Sequence, residues 1–181
     1  WDTSDLNELI AFYQGISYLP EPQLWLDKAL FAARSNMTSV FKAIAYQNRF
    51  PSLYFPENAW NQLILKTLCL DLSLIPIIGL TERMNPNLRE ILYDNVLEQW
   101  GANRQVNPEL WMSMTNYLDE KVLSLLSTVL ERNEKKQQLA AIWTLQHSKL
   151  ENAKGLLARY PSIQKSVTDT DFGLHSINKG E

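Results

Sequence analysis

The chain of 181 residues and 20.9 kDa is 45% hydrophobic and 20% charged, ordinary for a soluble globular protein and wrong for a disordered one. Its net charge of −3 is evenly spread: residues 1–90 carry 7 basic and 9 acidic side chains and residues 91–181 carry 10 and 11, so neither half offers the basic footprint that nucleic acid requires. With one cysteine, two histidines and six scattered glycines, an internal disulfide, a Cys/His zinc site, a P-loop and a G-x-G-x-x-G turn are all excluded, and no metal or cofactor is expected.

Helical spacing runs through the chain, while strict alternation is scarce. Thr3 or Ser4 could cap a first helix over Asp5–Gln14, with Leu6, Leu9, Ile10 and Tyr13 on one face. Glu21-Pro22 opens a second helix to Ala33, striped by Leu26, Ala29, Leu30 and Ala33. Met37, Val40, Phe41, Ile44 and Ala45 form the next stripe, with Asn48 one turn beyond. Phe50-Pro51 to Phe55-Pro56 reads as a loop, because a residue before proline avoids the helical region. Pro56 then opens a helix to Leu70 with Trp60, Leu63, Ile64 and Leu68 on its face.

Leu74–Leu80 is the longest apolar run, far below the roughly 20 residues of a membrane span, and reads as a short helix or a buried connector. Asn85-Pro86 places a cap and an N1 proline ahead of a helix to Trp100, which Gly101 could stop. Asn107-Pro108 repeats that signal for a shorter helix. Three helices with short joints follow, near Asp119–Arg132, Glu134–His147 and Lys149–Tyr160, with a short one over Ser162–Val167. Short joints make antiparallel neighbours, so this part is expected to stack as HEAT-like hairpins. The whole is predicted to be all-α, a single domain of about nine helices over residues 5–168. A polar tail over 169–181 is expected to be held through Phe172, Leu174 and Ile177.

Most chemistry-bearing residues have a plain structural reading. His147 suits a helix C-terminus. Cys69, between two leucines, is expected to be a buried small hydrophobe rather than a nucleophile. Asp94 and Glu98 share a helix face and read as solvated. The six tryptophans are expected to fill the core, each indole N–H with a partner.

Lys66 is different. It is the only charge from Asn58 to Leu70 and shares a face with Gln62, four residues earlier. Such a lysine either snorkels to water or faces a polar cleft, and both readings stay open. Arg83 follows the apolar run with no evident structural duty. Asn61, Gln62, Lys66 and Arg83 are expected to line one polar-floored cleft suited to a carboxylate or phosphate, since charge-assisted hydrogen bonds are the stronger kind.

Around these residues the sequence resembles the EboA family. The resemblance is carried by Asn36-Met37-Thr38, Val40-Phe41, Ala45 and Asn48, and most specifically by Ala59-Trp60-Asn61-Gln62-Leu63 with Leu65-Lys66. It continues through Ile78-Gly79-Leu80, Arg83, Asn85-Pro86-Asn87-Leu88, Glu98, Trp100, Ala102, Arg104 and Pro108-Glu109-Leu110-Trp111. It spans Asp5 to Asp119. The chain departs from the family pattern at Leu97-Glu98-Gln99-Trp100, where a histidine followed by Glu-Arg-Trp is expected, so no histidine mechanism is carried over.

The resemblance implies an all-helical protein encoded in a bacterial secondary-metabolite gene cluster, one associated with moving a pigment precursor toward the periplasm. It assigns no reaction. The expected function is therefore a non-catalytic binding or scaffold protein serving such a pathway. Its partners would be a small aromatic or prenylated molecule or other proteins of the cluster, with no nucleic acid. No signal-like segment is present, and a cytoplasmic location is expected. The alternative is an enzyme acting on a small anionic metabolite through Lys66, Arg83 and a carboxylate. A carboxylate beside Lys66 in a deep pocket would favour the enzyme; an open apolar groove would favour the binding protein.

Overall fold

The structure, a computed structural model, describes residues 5–132 and 134–164; the expected caps Thr3 and Ser4 and the tail from 169 lie outside them. Eleven α-helices and three 3-10 turns make up the regular structure of the described residues, and no strand occurs among them, so the fold is all-α. The extra helices relative to the expected nine are short. Among the described residues no helix is long and apolar enough to cross a membrane. The chain divides into two compact units, Trp1–Arg83 and Met84–Glu181.

The first unit holds α1 (Leu6–Gly15), α2 (Leu26–Arg34), α3 (Thr38–Ala45), α4 (Phe50–Tyr54) and α5 (Glu57–Cys69). Pro22–Trp25 forms a 3-10 turn ahead of α2, so the second helix starts later than its proline suggested. Helices α1, α2 and α4 pack on α3, and α2 also meets α4 and α5. Phe41, Ile44, Phe50, Trp60, Leu63 and Ile64 are fully buried there, each contributing about 1.5–3 kcal/mol by leaving water.

A buried asparagine ties these helices together. The Asn48 amide donates to the carbonyls of Tyr13 (2.7 Å) and Ala43 (3.1 Å), and its oxygen accepts from the Ser17 hydroxyl (2.6 Å) and the Phe50 N–H (2.9 Å). This explains a correction. Residues 50–54, read as a loop, are helical, because Pro51 sits in the first turn, where its missing N–H is not needed. The Phe50 N–H is capped by Asn48 and by the Ser17 hydroxyl (3.1 Å), and Phe50 and Phe55 anchor the segment in the core.

Helix α5 starts at the extended N-cap Pro56, with Glu57 in the first turn, where the helix dipole favours an acid. Its buried residues are Trp60, Asn61, Leu63, Ile64 and Thr67, not Leu68, because residue 67 lies two turns from 60. It ends in a Schellman motif. Asp71 is left-handed (φ 51°), and the N–H groups of Asp71 and Leu72 donate to the carbonyls of Leu68 and Thr67, each at 3.0 Å. Leu74–Leu80 is a turn-rich connector with Leu74 and Ile77 buried. Gly79 within it has φ +84°, and a Cβ there would sit 2.6 Å from the Ser52 Cβ, so both conformation and close approach demand glycine.

The second unit holds α6 (Pro86–Gly101), α7 (Glu109–Ser113), α8 (Glu120–Glu131), α9 (Lys135–His147), α10 (Glu151–Leu157) and α11 (Pro161–Gln164). Helices α7, α8, α10 and α11 all pack on α9. Asn85 caps α6 as its sequence indicates, its oxygen accepting from the Leu88 N–H at 2.9 Å. Asn85→Ala is expected to cost about 1 kcal/mol, read as a lower midpoint in denaturant with unchanged slope. Helix α6 ends at Gly101, within a residue of the expected end. The left-handed residue is Asn103 (φ 55°), and the Arg104 N–H closes the Schellman motif on the Gln99 carbonyl at 2.8 Å. Asp119 caps α8 through the Val122 N–H (2.9 Å) while its other oxygen accepts from Arg89 (2.9 Å).

Candidate functional site

A groove of about 580 Å³ runs between the end of α2 and one face of α5, within the range of small-molecule pockets. Leu30, Ala33, Pro56, Ala59 and Leu63 supply its apolar lining, and Arg34, Asn58, Gln62 and Lys66 its polar lining. Ala59, Gln62, Leu63 and Lys66 come together because they recur every three or four residues along α5. The lining contains two cations and no carboxylate.

Lys66 reaches across to the C-terminal end of α2. Its ammonium donates to the carbonyls of Ala33 (3.0 Å) and Ser35 (2.7 Å) and lies 4.9 Å from the centre of the Phe41 ring. Those carbonyls are among the ones a helix leaves unpaired at its end, where the dipole also favours a positive charge. Burial pushes the Lys66 ammonium below its ordinary range. Among the described residues no carboxylate forms an ion pair with it.

The four residues expected to share a cleft are divided. Gln62 and Lys66 line the groove. Asn61 is buried and does not line it, because it lies about 100° around α5 from Gln62. Arg83 is not in that lining either. Its guanidinium donates to the carbonyls of Pro51 (2.7 Å) and Phe55 (2.8 Å) at the end of α4 and stacks 4.9 Å from the centre of the Trp60 ring. Burial lowers its pKa, and Glu57 opposes that shift. The structural duty missing from the sequence reading is thus the closing of α4.

Arg34 is the second cation of the lining. It is exposed at the last position of α2, where a basic residue suits the dipole, and only the docking of α2 on α5 brings it beside Gln62 and Lys66. No local sequence signal would have found it.

The other candidates stand apart. Cys69 is exposed, contrary to expectation, since the last turn of α5 turns it outward from the Trp60–Thr67 face. His147 lies in the last turn of α9, stacked on Trp143 with a centroid separation of 4.0 Å. Asp94 and Glu98 are exposed on α6. Trp60 and Trp111 fill the core, whereas Trp25, Trp100 and Trp143 are half-buried and Trp1 lies outside the described residues; the indole N–H groups of Trp60 and Trp143 are buried without a hydrogen-bond partner among the described residues, so the expectation that each indole is satisfied fails at these two. Among the described residues no three His, Cys, Asp or Glu side chains come together as a metal site. The second unit has a polar groove of about 410 Å³ in which Arg132 stacks 4.1 Å from the centre of the Trp100 ring beside Arg104 and Glu134.

A family model described as metabolite traffic protein EboA matches residues 1–115, which include both α2 and α5. No curated protein and no solved structure matches the chain.

Proposed function

The chain belongs to the EboA family, and from that premise we propose that it is a non-catalytic binding protein of a metabolite traffic pathway, holding its ligand in the groove between α2 and α5. The observation that carries this reading is the composition of the lining: an apolar wall, two cations and two amides, with no carboxylate, histidine, cysteine or hydroxyl. Acid–base or nucleophilic catalysis needs a group that exchanges a proton or attacks, placed within hydrogen-bond reach of another. Lys66 has no such neighbour in the groove lining, and its ammonium is engaged by two carbonyls among the described residues. The enzyme reading, built on Lys66, Arg83 and a carboxylate, draws no support from this lining. The pathway's other proteins are the natural partners of such a carrier, with the cytoplasm as its working compartment.

Ala59 lies on the groove wall and is only half-buried, so Ala59→Trp fills the groove without entering the core. Protein purified from its native cells is expected to carry a small molecule, identified by mass spectrometry after extraction. Ala59→Trp is expected to lose it while keeping its helical circular dichroism. The ligand should come back from prolonged incubation with unchanged mass. Equal retention by the two proteins, or steady conversion of the ligand, would reject the reading.

A further inference from the structure

We propose that the groove takes an amphipathic anion, a carboxylate or phosphate head held by Lys66 and Arg34 with an apolar chain or ring laid against Leu30, Pro56 and Ala59. This rests on the groove being the binding site and goes on to name the ligand's chemical class.

The head is argued from unused charge. An ammonium has three N–H donors, and Lys66 uses two, on Ala33 and Ser35. Its third donor has no nitrogen or oxygen acceptor among the described residues; the Phe41 ring, 4.9 Å from the ammonium, offers a weaker attraction without a counter-charge. Arg34 lines the same groove and forms no ion pair among them. A half-buried cation lacking a counter-charge is costly, and an anion delivered by a ligand removes that cost while gaining charge-assisted hydrogen bonds.

One feature of the fold opposes an anion: the C-terminal end of α2 carries the negative pole of the helix. Lys66 neutralises it by capping the Ala33 and Ser35 carbonyls, so the end nearest Arg34 presents positive charge. The body follows from the rest of the lining. An inorganic anion would leave the apolar wall wet. A neutral hydrocarbon would cover the wall but strip water from two cations without replacing it. A molecule with both parts satisfies both halves.

Calorimetric titration with decanoate and decyl phosphate below their micellar concentrations, against decanol, decyltrimethylammonium and inorganic phosphate, tests the class directly. The two amphipathic anions are expected to bind at least about tenfold tighter than each of the other three. Arg34→Glu is expected to weaken decanoate by about tenfold or more and to leave decanol unchanged, with little effect on melting because Arg34 is exposed. Equal binding of decanoate and decanol, or an Arg34→Glu protein that binds decanoate like the parent, would overturn the proposal. So would binding only to phosphatidylglycerol vesicles, which would make the occupant a membrane surface. A parent protein that retains a native ligand through Ala59 but ignores both anions loses the ligand class and keeps the binding site. An Ala59→Trp protein that binds decanoate as the parent does removes the binding site itself.

Discussion

Trp111→Ala is expected to lower the unfolding free energy by about 3–5 kcal/mol. The ring is fully buried in the second unit, with its centroid 6.2 Å from that of Trp100. Its indole N–H donates to the Gln137 side-chain oxygen at 2.7 Å, and the Gln137 amide in turn donates to the Val106 carbonyl. Truncation therefore opens a cavity and also leaves the buried Gln137 oxygen without a donor. Trp111→Phe separates the two costs, because it fills most of the volume and removes only the N–H; about 1–3 kcal/mol is expected for the orphaned acceptor. Denaturant titration followed by circular dichroism reads both. A Trp111→Ala loss below 1 kcal/mol would mean that α7 and α9 are not held together through this side chain.

Gln137 also marks where sequence reading reaches its limit. The elements with local signals were legible. Asn85-Pro86 starts α6 where the cap and the N1 proline place it, because the oxygen that accepts from Leu88 is only three residues away. The stripes Val40-Phe41-Ile44 and Trp60-Leu63-Ile64 are buried as their spacing requires. Helix α4 was not legible. Its start is capped by Ser17 and Asn48 and its end by Arg83, partners that meet it only after the chain has folded. The helix ends at Asp71 and Asn103 were hidden for a different reason. Both residues enter the left-handed region without being glycine, so the residue that closes each end carries no signal of its own, although Gly101 marks the last helical position of α6.

The site divides along the same line. Lys66 and Gln62 could be paired in the sequence because they lie four apart on one helix, and a lone charge in an apolar segment stands out. Arg34 could not be added, since its place beside them depends on how α2 docks against α5. The two readings left open for Lys66 turn out to be incomplete as alternatives. The side chain neither simply snorkels nor simply lines a cleft; it caps one helix from another and still borders the groove. A residue that serves both packing and binding gives the sequence no cue that separates the two.

Arg83 gives the second large effect and the clearest separation of stability from binding. Arg83→Ala is expected to cost about 2–3 kcal/mol, because the Pro51 and Phe55 carbonyls each lose a charged donor. The Trp60 ring also loses the guanidinium stacked over it. The position is only half-buried, so water recovers part of the loss and the value stays below that of a core truncation. Arg83→Lys keeps the charge but offers no rigid fork with which to span two carbonyls, and it is expected to recover less than half of the loss. Since Arg83 does not line the groove, ligand bound per folded molecule should equal that of the parent in both variants, measured at a temperature where all three proteins remain folded. Normal melting of Arg83→Ala together with lost ligand would return Arg83 to the binding site and remove it from the closing of α4.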